Sequence, residues 1–268
     1  MTDFAVKPRR WGALYVAEHR VRAMRAYAQS VLFIAIGNPL VYLFSLGVGL
    51  AALIQAPIPL GDGTSVSYLT FVAPALVGAA ALTIAVEEST YPYLMGFKWN
   101  PIFYGMNAAP ISGRQIVDGM TIGIAVRTVV TCGIYFVFTV LFGAVPNAWG
   151  FVLIFTTTFT GLAIGLVISS YTATIEEDRG QMALIGRFVV MPLFLFSGTF
   201  FPITALPIWL QWIGWISPLW HGTQLARGLA FGLPEPAWLV VVHVVVLVGL
   251  FVFGLLRTRA VVTRRLNK

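Results

Sequence analysis

Six long apolar blocks alternate with short polar links along most of the chain. They cover approximately Val31–Ile54, Tyr68–Val86, Gly119–Phe142, Trp149–Ser170, Leu184–Phe201 and Ala237–Leu256. Crossing a hydrocarbon core about 30 Å thick takes roughly 20 helical residues, which most of the blocks supply. Inside lipid every backbone N–H and C=O needs a partner within its own segment, so the blocks read as helices and not strands. The expected fold is an all-α polytopic membrane protein with six transmembrane helices.

The polar positions then set the orientation. Lys7, Arg9, Arg10, Arg20, Arg22 and Arg25 precede the first block. Lys98 and Arg114 follow the second, Arg179 and Arg187 the fourth, and Arg257, Arg259, Arg264, Arg265 and Lys268 the sixth. The links after the first and third blocks carry no Lys or Arg, and the link after the fifth carries only Arg227. By the positive-inside rule both termini are cytoplasmic.

Three regions follow. Residues 1–30 are a cytoplasmic tail with an amphipathic interfacial helix, 31–256 the six-helix domain, and 257–268 a basic cytoplasmic tail. Within residues 9–28, Leu14, Ala17, Val21, Met24 and Ala28 mark one helical face, with Arg20 to one side and Glu18, Arg22 and Arg25 to the other. A plain basic flank that fixes topology is a compatible alternative. In the first block Asn38-Pro39 predicts a kink, and Asn38 either packs against a neighbouring helix or lines a pathway. The second block ends at Glu87-Glu88 and opens a cytosolic loop over 87–113. There Asn100-Pro101 reads as an N-cap and first position of a short helix, Pro101 to Asn107, and Ser112-Gly113-Arg114-Gln115 as a capping box. A short capped helix between two spans is a rigid element facing the cytosol. Arg127, about two turns into the third block, either snorkels, pairs with Glu87, Glu88 or Asp118, or meets an anionic substrate. Gly161 and Gly165 in the fourth block permit close helix approach.

The link over 202–235 is too apolar for a free external loop, and too interrupted by Pro and Gly for another span. Two short helices dipping into the outer leaflet fit it, each opened by a proline (Pro207, Pro218). Trp209, Trp212, Trp215 and Trp220 suit the membrane interface.

Composition sharpens this picture. Hydrophobic residues make up 58%, charged residues 10%, and mean hydropathy is +0.85, outside the soluble range. The net charge of +7 sits on cytoplasmic flanks, where membrane lipids and not nucleic acid are its partner. Cys132 is the single cysteine, which excludes a disulfide framework or metal cluster. No Gly-rich phosphate loop precedes Lys7, Lys98 or Lys268, so no nucleotide site of that type is expected on this chain. Ser197-Gly198 has Leu195, not glycine, two residues before the serine, which argues against a serine nucleophile. His19, His221 and His243 lie in unrelated segments. All ten Asp and Glu fall in links or at helix ends, which counts against a proton relay.

The pattern resembles an ABC-2 type permease, the membrane subunit of ABC exporters. The match is carried by Ser197-Gly198-Thr199-Phe200-Phe201-Pro202, Leu206-Pro207, Pro218-Leu219-Trp220-His221 and Arg227-Gly228. Tyr68 to Pro74, Glu88 to Thr90 and Tyr104 to Pro110 are similar to the branch of nodulation-type lipo-oligosaccharide and daunorubicin-resistance-type exporters. The resemblance implies a multi-pass protein of the bacterial plasma (inner) membrane, paired with a second permease copy and with two cytosolic ABC ATPase subunits. It puts ATP and Mg on those partners, and no cofactor and no catalytic or metal-binding residue on this chain. It implies pathway residues Asn38, Tyr42, Phe194, Ser197 and Phe200, to which Arg127 adds a further polar candidate. The rigid short helix with Asn100, Pro101, Phe103 and Met106, and the Glu87-Glu88 end of the second block, supply the expected ATPase-coupling residues. The expected cargo is a lipid-linked saccharide or hydrophobic drug-like molecule; a polytopic enzyme or sensor is the alternative.

Overall fold

A computed structural model describes residues 6–268 apart from 51, 52 and 55, so the C-terminal end of the first apolar block lies partly outside the described residues. The chain is 79% helical. Five helices are long and apolar enough to cross a membrane: Arg9–Phe44, Tyr68–Phe97, Gly113–Leu141, Ala148–Thr172 and Ala237–Leu266.

The first of these joins two segments. Helix α1 (Val6–Met24) meets α2 (Ala28–Phe44) through a single 3-10 turn at Arg25–Tyr27, and α2 runs on through Pro39. The buried face of α1 coincides with the expected apolar stripe only in part. Val16, Ala17 and Arg20 are buried, whereas Leu14 is exposed. The reason is the surface they meet, the third long helix, α6 (Gly113–Leu141). A Cβ at Gly119 would sit 2.5 Å from the Ala13 carbonyl oxygen, and one at Gly123 2.7 Å from the Arg20 Cγ. The two missing side chains let α1 lie directly on α6 and let the Arg20 stem pass.

A hairpin of two short strands, β1 (Ile58–Pro59) and β2 (Ser65–Val66), follows the first span. Helix α3 (Tyr68–Ser89) is opened by the Ser67 side chain, which accepts from the Thr70 N–H, and is buried along nearly its whole length. It is the centre of the bundle. Helix α4 (Tyr91–Phe97) and α5 (Ile102–Ala108) lie in the link between the second and third long helices. Here α5 begins one residue later than expected: Pro101, at φ −68° and ψ 48°, is the cap residue, and Asn100 does not cap. The Ser112/Gln115 capping box is present and starts α6 six residues before the apolar block. Arg127 therefore lies nearly four turns along α6, not two.

Helix α7 (Leu153–Thr172) packs on α3, where a Cβ at Gly161 would sit 2.6 Å from the Ala81 carbonyl oxygen. This small-residue pair serves packing within the chain. The fifth apolar block is helix α8 (Gln181–Phe196), which contains a π segment at Gly186–Val190. It rises only about 24 Å, short of a full hydrocarbon core. Gly198, at φ +68°, turns the chain after it. Two short helices follow, α9 (Ile208–Trp215) and α10 (Pro218–Phe231). Pro218 takes the expected first position of α10, while Pro207 is the cap residue of α9. The last helix, α11 (Ala237–Leu266), runs ten residues beyond its apolar block, so most of the basic tail is helix.

Candidate functional site

The last turn of α3 carries Glu87 and Glu88, and carboxylates at a helix C-terminus face its negative dipole end. Both need cations, and three helices supply the arrangement. Glu88 is 1% exposed and pairs with Arg20 of α1 through one oxygen and with Arg127 of α6 through the other. Arg127 also reaches Glu87 at 3.3 Å. Two guanidinium groups and two carboxylates make a neutral node that ties the interfacial helix to the second and third spans. Of the alternatives for Arg127, the structure selects pairing with Glu87 and Glu88. Asp118 pairs instead with Arg259 of α11 at 2.6 Å.

Glu87 faces two ways. Besides the node it lines a cavity of about 180 Å³ between α2, α3, α6 and α8, together with Asn38, Tyr42, Thr83, Thr131 and Phe194. The rings of Tyr42 and Phe194 meet edge-on at 6.3 Å, and Phe194 meets Phe200 at 5.0 Å. Of the six residues expected to line a pathway, the structure gathers Asn38, Tyr42 and Phe194 in one cavity, with Phe200 against its rim. Arg127 does not line it, since its charge is engaged by the glutamates. Ser197 does not either: it is fully buried and hydrogen-bonded to Ser217 at 2.5 Å. Thr83, Thr131 and Tyr135 were not anticipated. Thr83 and Glu87 share a face of α3 by their i, i+4 spacing, a signal present in the sequence.

In the link between the second and third long helices, Phe103 of α5 is buried against Tyr93 and Phe97 of α4, with ring centroids 6.1 and 5.0 Å away. A Cβ at Gly96 would lie 2.5 Å from that Phe103 ring. The Arg265 guanidinium sits 4.1 Å over the Phe97 ring and donates to the Ala173 and Ile175 carbonyls, so α11 clamps the end of α7 to this platform. Lys98 bonds Glu177 at 3.1 Å and holds that exposed carboxyl below the usual carboxylate range. A cavity of about 210 Å³ between α1 and the α4–α5 pair is lined by Asn100, Phe103 and Met106 with His19 and Arg20. Three of the residues expected to couple thus converge on α1. Glu88 joins them only through Arg20, because it is inside the bundle, and Pro101 is exposed at the start of α5.

At the opposite end, α10 is fixed by a cation whose contacts the sequence did not reveal. Arg227 is 2% exposed, lies 3.6 Å over the Phe71 ring, and donates to the carbonyls of Phe71 at 3.1 Å and Gly198 at 2.7 Å, and to Gln224 at 3.0 Å. Its planar fork of donors suits three acceptors at once. Glu235 accepts from Gln224 at 2.5 Å and lies 3.1 Å from His243 Nε2. The Nδ1 atoms of His243 and His221 are 2.6 Å apart. The two histidines, apart in sequence, are in contact. No group of three or more metal-ligating side chains occurs among the described residues.

Comparison with known proteins agrees with this arrangement. The profile of the family described as "ABC-2 type transporter" matches residues 12–231. Nodulation protein J of Rhizobium leguminosarum bv. viciae is 27% identical over 254 residues, 91% of this chain and 92% of that protein. Nodulation protein J of Azorhizobium caulinodans is 30% identical over 229 residues, 82% of this chain and 84% of its own. The probable multidrug ABC transporter permease YbhR of Escherichia coli K12 is 29% identical over 168 residues, 61% of this chain but 44% of that longer protein. No solved structure matches the chain.

Proposed function

The chain belongs to the ABC-2 type transporter family and is an ABC transporter membrane subunit, and from that premise we propose an ATP-driven exporter of amphipathic cargo. The reading has two copies of this chain, each with six spans and a re-entrant α9–α10 pair, set in a bacterial inner membrane with both termini cytoplasmic. Two separately encoded ABC ATPases bind ATP and Mg and drive them.

The observation that carries the reading is the continuity from platform to pathway. The α4–α5 platform abuts α1 at the cavity that holds Phe103 and Arg20. Arg20 pairs with Glu88, Glu88 with Arg127, and Arg127 with Glu87, which lines the Asn38–Tyr42–Phe194 cavity. A rigid helix pushed by an ATPase moves as one body, and a buried ion network has few arrangements that keep all its charges paired. Displacement at α5 therefore reaches the cavity wall without being absorbed in a loop.

The cavity supports the cargo class. Its rings and aliphatic side chains desolvate apolar groups, while its few polar groups cannot replace the hydration of a small ion or free sugar. Each unmatched polar group would cost about 1–3 kcal/mol or more. A lipid-linked saccharide or hydrophobic drug-like compound entering from the inner leaflet fits. The test is substrate-stimulated ATP hydrolysis by the reconstituted complex, comparing such compounds with small hydrophilic solutes. Stimulation confined to the hydrophilic set would overturn the cargo assignment.

A further inference from the structure

We propose that the groove between the α1–α2 elbow and α6 is a binding site for one anionic phospholipid of the cytoplasmic leaflet. The acyl chain lies along the groove and the phosphate against Arg25. This rests on the orientation proposed above and not on the nature of the cargo.

The groove holds about 320 Å³ and is distinct from the cavity lined by Asn38 and Phe194. Met24 and Leu32 form one wall, Val126, Val130 and Ile134 the other, and Arg25 and Arg127 are its only charged groups. Arg127 is engaged by Glu87 and Glu88. Arg25 is exposed and pairs with no carboxylate among the described residues. The neighbouring Arg22 is different, because Glu18 holds it at 2.5 Å. One cation at the elbow is thus left for a ligand.

The dimensions select the occupant. From Arg25 to Ala35 the groove follows ten residues of helix, a rise of about 15 Å, which is half of a 30 Å hydrocarbon core. That is the depth of one leaflet. Leu32 and Val130 on facing walls are 52% and 53% exposed, so the groove opens sideways and a chain can enter from the bilayer. An apolar cleft at that depth is unfavourable for water and favourable for methylenes. A negative headgroup above it gains from the elbow cation, by about 1 kcal/mol, or roughly fivefold in affinity, for one arginine near the surface. A zwitterionic lipid with the same chains would gain the groove without that increment.

The site also has a lever. The elbow is a single 3-10 turn, and both walls of the groove lead to the ion node, one through α1 and Arg20, the other through Arg127. A lipid chain wedged there braces the angle between the interfacial helix and the first span.

The full chain, purified in mixed micelles, is incubated with equal amounts of dioleoyl phosphatidylglycerol and dioleoyl phosphatidylcholine, and bound lipid is counted by native mass spectrometry. The expected result is one retained lipid per chain with phosphatidylglycerol preferred about fivefold. Arg25→Gln should abolish the preference, and Arg22→Gln should leave it. Val130→Trp, which fills the groove from an exposed position, should remove retention of both lipids; Leu32→Trp does the same from the facing wall and guards against misfolding of the first variant. Equal retention of the two lipids by the native chain would overturn the proposal, as would a preference that survives Arg25→Gln. So would retention unchanged in both tryptophan variants. None of these outcomes bears on whether an ATPase drives the chain.

Discussion

Replacing Glu88 with Gln keeps the side-chain volume and removes one charge from the node, which isolates its electrostatic contribution. Glu88 is buried and is the only carboxylate paired with Arg20 among the described residues, whereas Arg127 keeps Glu87 at 3.3 Å. Breaking a buried pair by removing one partner costs about 3–5 kcal/mol, because the surviving charge is left without a counterion. With Arg127 still partly satisfied the lower figure applies, about 3 kcal/mol. Against a stability of about 5–15 kcal/mol this is a large share, and at about 2–4 °C per kcal/mol it lowers the melting temperature by about 6–12 °C. Scanning fluorimetry of the purified chain measures it. The matched control is Glu18→Gln, whose partner Arg22 is exposed and whose pair contributes about 0–1 kcal/mol. The double variant Arg20→Gln with Glu88→Gln should cost less than the sum of the two single changes, since together they remove both ends of one pair. A Glu88→Gln melting point no further displaced than the control, or strictly additive single changes, would refute the node as a stabilising junction.

Phe103→Pro should break α5 and abolish ATP-coupled transport while leaving membrane insertion normal; full transport by well-inserted protein would remove α5 from the coupling route. Arg227→Met should speed protease cleavage near residues 198–207 from the outer face, since it strands two carbonyls at about 1–3 kcal/mol each. Arg227→Lys should rescue that only in part, lacking the fork, and equal cleavage in all three proteins would contradict the anchoring role. Phe194→Ala removes ring contacts worth about 0.5–1.5 kcal/mol and should raise the cargo concentration for half-maximal ATPase stimulation about two- to twelvefold. An unchanged value would place the cargo elsewhere.

The long helices and the charge asymmetry were legible because a bilayer imposes them on composition. Pairing of Arg127 with Glu87 or Glu88 was one of three readings open in the sequence, and the geometry of α3 and α6 selects it. The pairing of Arg20 was not legible, because a basic residue before a first span has lipid headgroups as an equally good partner. Only the approach of α1 to Gly119 and Gly123 decides between them. The end of the fifth block was misplaced because Phe200 and Phe201 keep hydropathy high beyond the small Ser197-Gly198-Thr199 step. The left-handed turn at Gly198 stops the helix at Phe196, and hydropathy does not register backbone angle. The contact of His221 with His243 spans 22 residues and depends on how α10 folds back on α11, which no spacing rule encodes. Of the expected pathway residues, Asn38, Tyr42 and Phe194 share one cavity because α2 and α8 both pack near α3. Ser197, at a small-residue step, went instead to a buried bond with Ser217.

The central claim is that this chain moves amphipathic cargo only when a separate ATPase pushes on its cytosolic platform. The direct measurement is ATP-dependent accumulation of a labelled lipid-linked or hydrophobic compound in inside-out proteoliposomes that contain the permease alone, the ATPase alone, or both. The account predicts accumulation with both subunits and none with either alone, and its loss when Phe103→Pro replaces the native permease. ATP-dependent accumulation by the permease alone, or accumulation by both subunits that persists with Phe103→Pro, would contradict it.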